Sequence, residues 1–392
     1  MGTMQRLFQL MAEKKASDLF VSVGSPINIK INGNAVPINQ TIMDSATIMG
    51  LFGEILTEKQ MNEFHEELEF NGAYNMPGTG NFRLSCFRQK GSPAMVVRYI
   101  PVDIPAFETL HLPPVLTEVI MEKRGLILMV GATGSGKSTT LTSMIDHRNE
   151  HASGHILTLE DPLEFLFKNK KSIVNQREVG TDTKAYQIAL KNALRQAPDV
   201  IFIGEIRDKD TMSQSIAYAQ SGHLCMATLH ANNSYHAMSR IITFYPLENR
   251  PALLADLAVT LKCVISQRLV KTPSGGRVAA VEVLMNSRHI AELIEKGDLN
   301  EIKDAMENSM VPGSQTFEQA LFELYKNNTI TLEEALASAD SANNLQQVIN
   351  NAVAAAASEE GSSEPVKSDT GTATRSVAPG SFSEFKLNMD PE

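Results

Sequence analysis

The sequence has little with which to build a disulfide staple or a cysteine-based zinc site. Its 392 residues include three cysteines, Cys86, Cys225 and Cys263. The count is odd and no two stand in a C-x-x-C pair, so the thiols read as small hydrophobes in a reducing compartment. Also missing is any run approaching the roughly 20 apolar residues that a membrane-spanning helix requires. The opening stretch MGTMQRLFQLMAEKKASDLF does not follow the order of charge, apolar run and small-residue cleavage site of a secretory signal. The expectation is a cytoplasmic protein, free to dock on the cytoplasmic face of a membrane protein. Excess positive charge is absent too. With 35 Lys and Arg against 45 Asp and Glu, the net charge is -10, which argues against broad electrostatic binding to nucleic acid or anionic lipid.

What is present is an ordinary globular composition in a chain long enough for two domains. Residues 1–100 read as α+β. QRLFQLMAEKKA has helical spacing. DLFVSV, INIKI and VPIN read as strands, with NGN (32–34) as a hairpin turn. Residues 45–68 carry one amphipathic helical pattern, and 82–89 and 94–100 alternate like strands. Pro101, Pro105, Pro113 and Pro114 mark a linker at 101–112. From 113 to 340 short apolar strands (126–130, 155–160, 199–204, 224–229) alternate with helices, including 137–150 and 183–197. That pattern predicts a parallel sheet covered on both faces. Helix is expected from about 251 to 268, one or two strands over 277–285, and helices again near 287–308 and 315–338. From 341 to 392 the chain is rich in Ser, Ala, Thr, Gly and Asn. It has too few large apolar residues for a core, so a mostly disordered tail is expected. The tail ends in Phe382, Phe385, Leu387 and Met389, either a docking peptide or a plain terminus.

The motif GATGSGKST (131–139) follows an apolar strand and opens a helix, the context a phosphate-binding loop requires. Gly131, Gly134 and Gly136 allow sharp turns, and Ala132, Thr133, Ser135 and Thr139 complete the loop. The helix N-terminus favours negative charge. Lys137 should reach the β- and γ-phosphates of ATP, and Ser138 should hold Mg²⁺. DVIFIGEIRD delivers Glu205 to the carboxyl edge of the sheet, where it can hold the metal through water. LTLEDPLEF brings Glu160, Asp161 and Glu164 to a neighbouring strand end. One of these carboxylates can accept the proton of an attacking water; equally, such a cluster can be the acidic first turn of a helix. In GHLCMATLHANN, His223 and His230 flank an apolar run. If that run is extended they stand roughly 23 Å apart, too far to share a metal ion.

Together these segments, with QREVG (176–180), ALRQAPDVIFIGEIRD (193–208) and ASDLFVSVGSPINIKINGN near the start, resemble the secretion and type IV pilus motor ATPases over residues 1–340. The resemblance implies a homohexameric ring with a PAS-like α+β N-terminal domain (1–100), a linker (101–112) and a RecA-like P-loop ATPase domain (113–340). It implies that Glu164 activates the lytic water, that Glu205 is the second-strand glutamate, and that His223 and His230 are the two box histidines. It also implies N-terminal-domain arginines that reach the phosphates. Arg83, Arg88 and Arg98 are available, with Arg83 and Arg98 favoured. Assembly and secretion members usually carry a four-cysteine zinc module; its absence points to the retraction branch. Phe20, Ile206 and the helix 288–297 depart from the principal retraction ATPases and resemble an accessory member. Such a protein would hydrolyse ATP to assist pilus disassembly and twitching motility, beside a second retraction ATPase and an inner-membrane platform protein. The alternatives are a nucleotide-binding scaffold with little turnover and a RecA-like DNA motor. The acidic charge and the want of a basic segment argue against the latter.

Overall fold

The apolar runs assemble into two sheets. The computed structural model describes residues 2–31, 33–100 and 104–360, with side chains to residue 352. The chain falls into two units, 1–346 and 347–392.

The first sheet is antiparallel throughout. It comprises β1 (Asp18–Ser22), β2 (Asn28–Ile31), β3 (Asn34–Pro37), β4 (Glu69–Met76), β5 (Gly80–Gln89) and β6 (Ser92–Ile100), in the order β3-β2-β1-β6-β5-β4. Alternation along β5 turns Phe82, Leu84 and Cys86 inward. They pack with Met4, Phe8, Phe52 and Phe64 from helices Thr3–Glu13, Ser45–Ile55 and Glu58–Glu67. The helical pattern over 45–68 is thus two helices. Leu56 is extended, and Thr57 starts the second helix through a capping box with Gln60. The Thr-x-x-Gln signal prevailed over periodicity that ran straight through it. β4 was not anticipated; its glycine and its exposed alternate residues weaken the strand pattern.

The second sheet carries the phosphate loop. It comprises β7 (Gly125–Val130), β8 (Gly154–Glu160), β9 (Ser172–Glu178), β10 (Val200–Ile203), β11 (Leu224–Leu229), β12 (Leu261–Lys271) and β13 (Arg277–Met285), in the order β13-β12-β7-β11-β10-β8-β9. The pairings from β9 across to β12 are parallel; β13 runs antiparallel at the edge. The four strands expected to be parallel pair so, and the antiparallel edge adds to them. Both faces are covered. Along β7, Leu126, Leu128 and Val130 join one apolar cluster while Ile127 and Met129 join another.

The helix expected over 251–268 ends at Thr260, and 261–271 is β12. Its buried run sits between β7 and β13, and a short continuous apolar run does not by itself distinguish strand from helix. Within 101–112, residues 107–110 form a 3-10 turn, and Phe107 and Leu112 are buried in the cluster with Ile127. The alanine-rich start of the C-terminal stretch is helical, Ala342–Glu360, in line with alanine's helix propensity. The segment around Phe382 to Met389 lies outside the described residues.

Candidate active site

β7 is buried along its whole length and ends at the phosphate loop. Gly131 and Gly136 hold positive φ, +155° and +86°. A Cβ on Gly131 would lie 2.5 Å from Ser135 Oγ, and one on Gly136 would lie 2.7 Å from Gln267 Nε2. The loop therefore closes only with glycine at these points. Lys137 curls over it, donating to the carbonyls of Gly131 (2.8 Å) and Ala132 (2.9 Å). Burial lowers its pKa, and Glu205 and Glu164 act in the opposite sense. Ser135 Oγ is buried without a protein partner. A glycine-only cradle, an unpartnered hydroxyl and a lysine resting on carbonyls it can release fit a bound phosphate group.

Parallel pairing brings the ends of β8, β10 and β11 to the same edge. A cavity of about 500 Å³ opens there, lined by Lys137, Ser138, Glu160, Glu164, Glu205 and His230 among others. Glu205 is held from both sides. Arg207 Nε donates to its Oε2 at 2.6 Å, and His230 Nε2 lies 3.3 Å from its Oε1. Arg207 also reaches Asp161 Oδ2 at 3.4 Å; its bond to Glu205 raises its pKa. The Thr228 hydroxyl donates to the Gly204 carbonyl, and Ile206 N–H donates to the Thr228 carbonyl, tying the turn that carries Glu205 to β11.

The three carboxylates of the acidic segment have different surroundings. Asp161 faces Arg207 and Glu164 is exposed toward the cavity. Glu160 is buried, and burial pushes its pKa up to about 7. The Thr158 hydroxyl donates to it at 2.7 Å, and Gln176 Nε2 donates to the same oxygen at 3.5 Å. No helix follows these acids: 161–171 is irregular, which removes the reading of the cluster as an acidic first turn. β9 holds this segment instead. Glu178 Oε2 accepts from Leu163 N–H, Gln176 Oε1 accepts from Phe167 N–H, and Gln176 Nε2 donates to the Phe165 carbonyl.

His223 stands at the other end of β11, where its carbonyl accepts from Gly125 N–H and its Nδ1 lies 3.0 Å from Ser221 Oγ. It is not among the residues lining the cavity. Arg83 and Arg98 face each other across β5 and β6, and Arg98 Nε donates to Asp18 Oδ1 at 3.0 Å. Neither lines the cavity of its own chain. Arg88 lies over the Phe64 ring at 5.2 Å and donates to the Gly91 carbonyl. The sequence assigned no role to Arg207, Thr228, Gln176 or Glu178, although QREVG and GEIRD carry three of them. Arg207 had a usable signal, two residues beyond Glu205 at the same sheet edge; the others act through tertiary contacts.

Residues 82–337 match the family model described as type II/IV secretion system protein. The chain is 46% identical over 346 residues to the type IV pilus ATPase PilU of Pseudomonas aeruginosa, covering 88% of this chain and 91% of that protein. It is 37% identical to the retraction ATPase PilT of the same organism, over 84% of this chain and 96% of that one. The crystal structure of the retraction motor PilT with bound ADP superposes with a TM-score of 0.82 at 38% identity, covering 88% of this chain and all (100%) of the other. The phosphate loop, the acidic edge and these likenesses agree: the chain belongs to the type II/IV secretion system protein family, among its PilU- and PilT-like type IV pilus ATPases.

Proposed function

We propose that this chain is a hexameric ATPase that assists type IV pilus retraction together with a PilT-like ATPase. It would act at the cytoplasmic face of the inner membrane against a pilus platform protein. Among the described residues no helix is long and apolar enough to cross a membrane, so attachment there would be through partners.

The observation that carries the reading is convergence. Lys137, Ser138, Glu164, Glu205 and His230 line one cavity, which is the constellation ATP hydrolysis needs. The loop cradles the phosphates and Lys137 supplies positive charge to the transferring group. Glu164 accepts the proton of the attacking water. His230, bridged to Glu205, is placed to sense loss of the terminal phosphate. The hydroxyl of Ser138 and the carboxylate of Glu205 are hard oxygen donors suited to Mg²⁺, which would neutralise phosphate charge when bound. Arg83 and Arg98 would reach the phosphates from a neighbouring copy.

The second reading, a nucleotide-binding accessory subunit with little turnover, has one observation in its favour: Arg207 and His230 both engage Glu205, so its carboxylate charge is already partly neutralised within the protein. The retraction assay addresses the proposed role. Pili in cells with both ATPases should retract with more force than in cells lacking this chain. Full-force retraction in a strain lacking PilT would contradict the assisting role.

A further inference from the structure

Gln267 lies on β12 beneath the phosphate loop and is 2% exposed. Its side chain bridges two points of the nucleotide-binding element. Nε2 donates to the Ser135 carbonyl at 2.8 Å, and Oε1 accepts from the Thr140 hydroxyl at 2.7 Å. The Ser135 carbonyl can only accept, which fixes which end of the amide faces it. Ser135 belongs to the loop, and Thr140 lies in the first turn of the helix Lys137–His151. One residue thus clamps the loop to the helix that follows it.

The clamp has a directional consequence. In a trans peptide the C=O and the following N–H point opposite ways. A Ser135 carbonyl drawn toward Gln267 turns the Gly136 N–H away from β12, toward the cradle where a phosphate would sit. The fit is close on both sides. A Cβ on Gly131 would meet the Gln267 carbonyl at 2.7 Å, and one on Gly136 would meet Gln267 Nε2 at 2.7 Å. Only an amide serves, because one end must donate to a carbonyl while the other accepts from a hydroxyl. A carboxylate would set oxygen against oxygen at Ser135, and an apolar side chain would leave both loop groups buried and unpaired.

We infer that Gln267 is a positioning residue for phosphate binding, holding the Ser135–Gly136 peptide in the orientation that aims its N–H at the nucleotide. The inference rests on residues 131–139 being the nucleotide site. The preorganisation is a binding effect. Its loss weakens nucleotide affinity and raises KM, while a bound nucleotide restores the peptide orientation and spares kcat.

The test is calorimetric titration of the full chain with ADP and Mg²⁺, beside steady-state kinetics and thermal unfolding without nucleotide. Gln267→Met should weaken ADP binding about tenfold, with KM rising in step and kcat within about twofold. Thr140→Val, which removes one arm of the clamp, should weaken binding roughly threefold, and Thr140→Ser, which keeps the hydroxyl, should match the unsubstituted chain. A folded Gln267→Met with unchanged ADP affinity and only a lowered Tm would overturn the inference. If that variant does not fold, equal affinities for Thr140→Val and Thr140→Ser would overturn it instead. Failure of the unsubstituted chain to bind ADP would overturn the nucleotide-site reading itself, a different outcome from binding that the substitutions leave untouched.

Discussion

His230 Nε2 and Glu205 Oε1 lie 3.3 Å apart at the mouth of the phosphate-loop cavity, each at the end of a different parallel strand. β10 and β11 are adjacent and in register, so the contact follows from strand order. It links the second acid of the site to the loop 230–233. His230→Gln should lower kcat about tenfold with ADP affinity within about twofold, because in the proposed mechanism the pair responds to terminal-phosphate charge rather than holding the diphosphate. Equal loss of ADP binding would show that His230 serves the cradle.

Glu164 and Glu160 should separate cleanly. Glu164→Gln should cut turnover by about 100-fold or more with ATP still bound, since in the proposed mechanism it removes the proton acceptor and leaves the cradle intact. Single-turnover kinetics with a binding control would check this, and retained turnover would point to a different base.

Glu160 makes a pH prediction. Burial raises its folded pKa from 4.5 to about 7. Between those values the folded state holds a proton that the unfolded chain has released. Stability from this group is therefore present below pH 4.5 and is lost as pH rises through about 7. Glu160→Gln, which stays neutral, should unfold at a higher temperature than the unsubstituted chain at pH 8. The gap should shrink toward pH 5. Thermal melts across that range would check it; a constant gap would mean that Glu160 does not titrate there.

Arg83 and Arg98 are cross-strand neighbours, and like charges so placed repel unless an anion joins them. Asp18 relieves one of them. The double variant Arg83→Gln, Arg98→Gln should bind ADP normally and turn over at least about tenfold more slowly. Mixing it with Lys137→Ala chains, which keep both arginines, should recover part of the activity if the arginines act on a neighbouring copy. Weakened ADP binding by the double variant alone would contradict this.

Much of the site was legible because it lies where simple signals end. Glu205 follows the run VIFIG and His230 follows LCMATL, and both runs are short, apolar and set between helical stretches, which marks them as buried strands of an alternating α/β pattern. The phosphate loop had strand before it and helix after. β12 was not legible, since LKCVISQRL continues an apolar helix without a break signal and becomes a strand only through β7 and β13. β9 was not legible as a strand: Ile173 is exposed while Ser172 and Val174 are buried, so burial does not follow apolar character, and its part in holding 161–171 depends on Gln176 and Glu178 meeting backbone groups 9 to 15 residues earlier. Arg268 was silent for the same reason. It joins Asp340 and the Ser338 carbonyl 70 residues away and stacks on Phe317 at 3.9 Å.

The most direct measurement is the steady-state ATPase rate of the purified full chain beside that of Lys137→Ala. The proposed motor role predicts Mg²⁺-dependent turnover by the unsubstituted chain and its loss in the variant. Equal rates in the two proteins would contradict it.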